Sequence, residues 1–217
     1  MIEGLSSLPS GHSVSSVVGV FHQQTGVRKN QHKALIVRSS TTNYMYQHDI
    51  QFFTATILWW KHLLKPDKYK QIIIDSMKFL VEHQRVKIYG FVLMWNHIHI
   101  LWRINENFLL EDVQRDFLKF TAQKIKFDLQ EHHPAVLAHF KVNLKDREYQ
   151  FWERNPLSVN MLSRKMIQQK LEYIHLNPLQ EKWNLATRPE EYDWSSAKYY
   201  EIGIDDFGIL THYFDET

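Results

Sequence analysis

The stretch VKIYGFVLMWNHIHILWRI, residues 86–104, decides the fold. It holds two runs of apolar, β-branched and aromatic residues, 86–94 and 97–104, separated by Trp95-Asn96. Runs of this composition favour β-strands, and a two-residue connection has the length of a tight hairpin turn. We therefore predict an antiparallel hairpin in this part of the chain.

Further strands and helices are predicted on both sides of this hairpin. Runs of β-branched and aromatic residues indicate strands, and apolar residues three and four apart indicate amphipathic helices. The predicted elements are strands at 51–58 and 148–153 and helices at 66–83, 111–130 and 160–177, the last ended by Pro178. This order is the ferredoxin-like split βαβ arrangement of the α+β class. We expect an antiparallel sheet with helices on one face and a ligand or nucleic acid on the open face.

The composition limits the class of protein. A hydrophobic content of 44% is ample for a core, and a formal charge of +2 does not by itself indicate a nucleic-acid binder. The absence of cysteine excludes a disulfide scaffold, thiolate metal sites and cysteine nucleophiles. Because the chain has neither a long apolar run nor a secretory signal, we expect a cytoplasmic protein that does not bind membranes.

The chain divides into three parts by composition. Residues 1–43 are interrupted by serine and glycine and are expected to form a weakly ordered leader. Residues 44–200 contain the predicted elements and are expected to form one domain. Residues 201–217 are expected to be a C-terminal tail.

Two histidines two residues apart form the first candidate site. Side chains alternate along a strand, so His97 and His99 share one face while Ile98, Ile100 and Trp102 share the other. At a rise of roughly 3.3 Å per residue, the two imidazoles can converge on one divalent metal. A structural role for the same pair remains open at this point.

A tyrosine and an asparagine form the second candidate site. Tyr173 and Asn177 lie four residues apart on the predicted third helix and are therefore neighbours on its surface. Taken alone, the pair is better explained by a tyrosine at the rim of the core and an asparagine capping the helix before Pro178. Together with the histidines, they suit phosphoryl transfer in which a metal assists a tyrosine hydroxyl, whose ordinary pKa is about 10.

Three segments of the chain resemble a known family. Residues 89–102, YGFVLMWNHIHILW, closely resemble the HUH segment of single-tyrosine transposases, the insertion-sequence-200-like family and its REP-associated (RAYT) relatives. Residues 171–178, LEYIHLNP, resemble the family's tyrosine helix, and residues 189–197 resemble the segment that follows it. The resemblance covers about Tyr46 to Tyr200, which is most of the chain, and it is closest to the REP-associated branch.

The resemblance implies a reaction and a set of residues. It implies His97 and His99 as metal ligands, Tyr173 as the nucleophile and Asn177 as the third ligand, as in the REP-associated branch. It also implies Mg²⁺ or Mn²⁺ as the cofactor and single-stranded or hairpin DNA as the substrate. The implied transposase cuts one DNA strand, keeps a 5′-phosphotyrosine and frees a 3′-hydroxyl, acting as a monomer or homodimer.

Two departures from the family pattern leave alternatives open. Trp95 stands where the family usually has proline, and residues 179–183, LQEKW, replace a run similar to Val-Lys/Arg-Ala-Gly. A catalytically degenerate hairpin-DNA-binding protein derived from such a transposase is therefore the second hypothesis. A structural zinc protein is the third, although the pattern offers it no clear fourth ligand.

Basic and aromatic side chains are the candidates for DNA contacts. Lysines and arginines can bind phosphates, and tryptophans can stack on unpaired bases. The alternative roles are a solvated surface charge for each basic residue and core packing for the tryptophans. The candidates are Lys119, Lys124, Lys126, Arg147, Arg154, Arg164, Lys165, Trp59, Trp60 and Trp152.

Overall fold

A computed structural model describes residues 48–216 of the chain, so the leader expected at residues 1–43 lies outside the described residues. The strands are β1 (Gln51–Thr56), β2 (Val86–Leu93), β3 (His97–Ile104), β4 (Lys141–Leu144), β5 (Arg147–Tyr149) and β6 (Leu157–Asn160). The helices are α1 (Asp67–Glu82), α2 (Leu110–His132), α3 (Pro134–Ala138), α4 (Arg164–Leu176) and α5 (Ala197–Ile202). Within this part of the chain, no helix has the length and apolarity needed to cross a membrane.

The main sheet has four strands in the order β2-β3-β1-β6, and every neighbouring pair is antiparallel. Strands β1, β2, β3 and β6 with helices α1 and α2 form the ferredoxin-like split βαβ unit, which confirms the predicted α+β fold class. The predicted hairpin is also present, because β2 and β3 pair through most of their length. The Met94 N–H donates to the His97 carbonyl at 2.8 Å and closes the turn.

One face of the sheet packs against α1 and α2. The alternating residues Ile98, Ile100 and Trp102 of β3 point into this core. Ile73 of α1 and Phe117 of α2 are among the residues that meet them, and all five are buried. The strand alternation read from the sequence therefore describes this face correctly.

The opposite face of the sheet carries α4. Phe52, Val92 and Leu101 form an apolar surface there, and Leu171 and Ile174 of α4 pack against it. This face was expected to be open, but exposed apolar side chains of this size require a cover. Helix α4, which carries the predicted tyrosine, supplies that cover, so the candidate site lies between the sheet and this helix.

The fourth strand of the sheet is β6, and the prediction of residues 148–153 as that strand was wrong. The beginning of the predicted segment pairs with β4 in a separate two-stranded sheet, and Trp152 forms an isolated antiparallel bridge with Ile57 just after β1. Its aromatic residues fill the core instead, and the Trp152 Nε1–H donates to Thr121 Oγ1 at 3.1 Å. Strand β6 escaped prediction because it is short, partly exposed and lies at the edge.

The residues after α5 return to the sheet. Ile209 is buried in the core beneath α1 and α2, whereas Tyr213 is buried on the α4 side. Leu210 forms a parallel bridge with Ile88 at the outer edge of β2. The C-terminal segment therefore contributes to both faces of the sheet.

Gly90 sets how closely α4 approaches the sheet. A Cβ atom at this position would lie 2.4 Å from Leu171 Cδ2 and 3.3 Å from Ser196 Oγ. The β2–β3 register also shifts between Ile88 and Gly90, and such a bulge bends and twists a strand locally. The close contact is the reason for a glycine here, since any side chain would press on a buried leucine.

Replacing Gly90 by alanine should destabilise the fold by about 1–3 kcal/mol, because the extra methyl group overpacks a filled core. Urea unfolding of Gly90→Ala, Leu171→Ala and the double variant measures this effect. Leu171→Ala alone should cost about 2–5 kcal/mol. We expect its cost to be clearly smaller in the Gly90→Ala background, because the smaller side chain removes the clash. Strictly additive costs would contradict this account.

Candidate active site

His97 and His99 lie side by side on the face of β3 that α4 partly covers. Their ring centroids are 4.8 Å apart, and the two residues are only 7% and 5% exposed. Burial lowers the pKa of His97 to about 4, with a smaller effect of the Lys182 charge. Burial also lowers the pKa of His99 to about 3, assisted by His97 and Lys170. Both rings are therefore neutral at pH 7, which is the form that binds metals.

Hydrogen bonds at Nδ1 orient both rings. His97 Nδ1 is 2.7 Å from Asn96 Oδ1, and His99 Nδ1 is 2.7 Å from Thr54 Oγ1. Asn96 donates its Nδ2 hydrogen to the Trp60 carbonyl, so its Oδ1 accepts from His97. This tautomer leaves the lone pair of His97 on Nε2. Ligand histidines in metal sites are held in the same way.

Tyr173 lies against His99. The two ring centroids are 5.2 Å apart at an interplanar angle of 64°, and the tyrosine remains 43% exposed. Phe52 stacks on His99, and their ring centroids are 5.2 Å apart. The Lys170 ammonium lies 4.6 Å from the Phe52 ring centroid and 5.3 Å from that of Tyr173. The candidate nucleophile thus combines access to solvent with a neighbouring imidazole and a neighbouring cation.

Asn177 directly follows the last residue of α4 and is buried at 2% exposure. The helix ends at Leu176, as Pro178 predicted. Within residues 48–216, neither Asn177 Oδ1 nor His99 Nε2 has a hydrogen-bond partner, although both atoms are buried. Unsatisfied buried polar atoms are costly, and each one needs an explanation. Two imidazole nitrogens and an amide oxygen are a donor set that fits a divalent metal ion.

The chain from Tyr173 in α4 to Trp183 leads from one histidine to the other. Tyr173 contacts His99, and further along the chain the Trp183 ring centroid lies 5.7 Å from that of His97. Asn177 lies between these two contact points along the chain. The described residues contain no group of three or more His, Cys, Asp or Glu side chains placed to hold a metal. His97, His99 and Asn177 therefore remain the candidate ligands predicted from the sequence.

The two departures from the family pattern meet in space. The Trp95 and Trp183 rings pack edge to face with centroids 6.3 Å apart, and His62 contacts both of them. The hydrogen bond between His97 and Asn96 is present beside this cluster. The substituted residues therefore pack on each other, and one of them, Trp183, also contacts His97.

Sequence reasoning missed several residues of this site. Thr54 could be found only from the β1–β3 register, in which it lies directly opposite His99. Lys170 lies three residues before Tyr173, so the two are neighbours on the helix surface. The same helix spacing that pairs Tyr173 with Asn177 could have identified it. His175, two residues after Tyr173, is buried and its Nε2 lies 2.9 Å from Ser196 Oγ.

Comparisons with known proteins find similarity among solved structures but not among sequences. Neither a protein-family model nor a curated protein matches the sequence. Among solved structures, a REP-associated tyrosine transposase bound to a REP hairpin is similar, with a TM-score of 0.53 and 16% identity. The similarity covers 77% of this chain and 90% of that one. At this identity the likeness establishes a shared fold.

Thr54→Val should weaken Mn²⁺ binding by about 10- to 100-fold, because the isosteric variant removes the group that orients His99. Isothermal titration calorimetry measures the affinity. Thr56→Val is the matched control, since Thr56 lies opposite His97, whose Nδ1 is held by Asn96. Equal affinities of wild type and Thr54→Val would contradict the orienting role.

The metal-free protein should lose stability as the pH falls from 7 to 4.5. The unfolded chain takes up a proton on His99 near pH 6.5, whereas the folded protein does so only near pH 3. More protons bind to the unfolded state in this window, so stability falls with pH. Urea unfolding in EDTA should show that His99→Gln loses about 2 kcal/mol less than wild type over this range. Equal losses would show that His99 is not held neutral.

Proposed function

We propose that the chain is a metal-dependent transposase or endonuclease of the HUH single-tyrosine class. It would cut and rejoin single-stranded or hairpin DNA through a 5′-phosphotyrosine intermediate. The contact between Tyr173 and His99 carries this proposal, because it brings the candidate nucleophile to the candidate metal ligands across two separate segments of the chain.

The structural neighbour supports DNA as the partner. The REP-associated tyrosine transposase with the similar fold is bound to a DNA hairpin. In this chain, Lys170 beside Tyr173 and Lys182 beside His97 place positive charge on both sides of the histidine pair. Lysines in such positions attract the phosphates of a DNA strand.

A divalent metal would supply Lewis-acid polarisation of the scissile phosphate. Mg²⁺ or Mn²⁺ is proposed as that ion, held by His97, His99 and Asn177. The buried, unpartnered Asn177 Oδ1 and His99 Nε2 support this assignment. The amide oxygen of Asn177 is the ligand of this set that suits Mg²⁺ or Mn²⁺.

The remaining steps fall to the protein's own side chains. The Tyr173 oxygen attacks the phosphorus of the DNA strand, forming a phosphorus–oxygen bond as the bond to the 3′-oxygen breaks. The phenol loses its proton, and the departing 3′-oxygen gains one to become a hydroxyl. Thr54 and Asn96 keep the imidazoles in place during this exchange, and Lys170 holds the phosphate charge near the nucleophile.

The second candidate function is hairpin binding without turnover. The departures at Trp95 and at residues 179–183 motivate it. The hydrogen bonds at the Nδ1 atoms of both histidines support the active alternative, because they are present although Trp95 and Trp183 pack nearby.

An oligonucleotide adduct assay tests the proposal. A hairpin oligonucleotide from DNA flanking the gene, labelled at the 5′ or the 3′ end, is incubated with Mn²⁺ or EDTA and analysed on denaturing gels. We expect a protein adduct that carries only the 3′ label and requires Mn²⁺. Tyr173→Phe should reduce it at least 10³-fold, because the nucleophilic oxygen is lost.

Tyr199→Phe is the matched control, since this tyrosine lies on α5 and contacts Tyr200 and His212 rather than the histidine pair. It should form the adduct at the wild-type level. Hairpin binding without an adduct in any metal would favour the degenerate binder. An adduct of equal yield with Tyr173→Phe would refute the assigned nucleophile.

A further inference from the structure

The short 3₁₀ turn Leu58–Trp60 after β1 holds two tryptophans in an unfavourable conformation. Trp59 has φ 56° and Trp60 has φ 57°, both in the left-handed region. Bulky residues rarely adopt this conformation, because Cβ approaches the backbone too closely. Two consecutive tryptophans in this region are therefore an outlier that requires a reason.

Hydrogen bonds to distant segments hold this turn. The Trp59 N–H donates to Glu153 Oε1 at 2.7 Å, and Asn96 Nδ2 donates to the Trp60 carbonyl at 3.1 Å. The Trp60 N–H donates to the Ile57 carbonyl at 2.9 Å. The backbone is thus fixed on both sides, as expected of strain that the surrounding structure maintains.

The strain is not compensated by burial of the rings. Trp59 is 54% exposed and Trp60 is 63% exposed. Trp152, the third tryptophan considered for base stacking, is buried and its Nε1–H is bonded to Thr121. Core packing therefore explains Trp152 but leaves the exposed pair unexplained.

The exposed pair adjoins the candidate metal site. The Trp60 ring centroid lies 6.4 Å from that of His97. Asn96 connects the two directly, since its Nδ2 holds the Trp60 carbonyl and its Oδ1 accepts from His97 Nδ1. The Lys61 ammonium lies 5.4 Å from the Trp59 ring centroid and adds a positive charge beside the exposed pair.

We propose that the Trp59–Trp60 turn is a stacking platform for an unpaired base of single-stranded DNA. An exposed aromatic face beside a lysine binds one base by stacking and the adjoining phosphate by charge. The platform would deliver the next phosphate of the strand toward His97 and His99. This inference rests on the proposed function, because it assigns a single-stranded segment of the DNA to a subsite of the same centre.

Binding of two fluorescent 12-mers in EDTA tests the platform. One is oligothymidylate, and the other carries the same phosphates on an abasic backbone. Fluorescence anisotropy should show that Trp60→Ala weakens oligothymidylate binding by about 5- to 100-fold. Binding of the abasic strand should change less than twofold, because it has no base to stack. Trp60→Phe should retain most of the affinity.

Two further variants separate loss of the ring from other effects. Phe127→Ala is the matched control, because this phenylalanine is 54% exposed on α2, which packs on the opposite face of the sheet. It should bind both strands like wild type. Trp60→Gly relieves the left-handed strain, so it should unfold at a higher temperature than Trp60→Ala while binding oligothymidylate equally weakly.

Equal affinity of wild type and Trp60→Ala for oligothymidylate would overturn the platform, as would equal loss of affinity for the abasic strand. Failure of wild type to prefer oligothymidylate over the abasic strand would also overturn it. The Tyr173 adduct assay reports separately on catalysis. A Trp60-dependent preference without any adduct would retain the platform and reject the proposed cleavage.

Discussion

The contact of α4 with β2 at Gly90 is the constraint on which the candidate site depends. The missing side chain lets Leu171 reach the sheet, and Tyr173, two residues further on, is thereby brought against His99. The His175–Ser196 hydrogen bond strengthens the same contact, because Ser196 Oγ also accepts the Phe91 N–H at 2.9 Å. A helix held by close packing on one side and a buried hydrogen bond on the other has little freedom to rotate, which suits the attack proposed for Tyr173.

The electrostatics of the histidine pair follow from the same packing. Burial beneath Phe52 and α4 disfavours the imidazolium forms, and each ring, if charged, would repel the other. Neutral imidazoles keep the lone pairs that a metal ion would need, and the buried His99 Nε2 has no hydrogen-bond partner among the described residues. Two lysine charges also act on the pair, since Lys182 lowers the pKa of His97 and Lys170 lowers that of His99. The same lysines can attract the phosphates of a nucleic acid.

The order of the main elements could be predicted from the sequence, because strand alternation and helix periodicity are local patterns. The same reasoning placed His97 and His99 on the face opposite Ile98 and Ile100. It misplaced the fourth strand, because the aromatic residues around Trp152 are there to fill the core. The strand that forms this edge of the sheet, β6, is short, and half of its residues are polar. Thr54 and the covering position of α4 depend on strand register and tertiary packing, which no local pattern encodes.

The departures from the family pattern are best understood as one feature. Trp95 and Trp183 are 88 residues apart in the numbering, yet their rings pack together, and Trp183 reaches His97. The Trp60 ring also lies near His97, with the centroids 6.4 Å apart. The Trp60 carbonyl accepts a hydrogen bond from Asn96, the residue that orients the His97 imidazole. The Trp183 Nε1–H is buried without a hydrogen-bond partner among the described residues, so ring packing alone holds this side chain beside His97. Trp60, Trp95 and Trp183 therefore line one part of the site, next to a His97–Asn96 hydrogen bond that they leave in place.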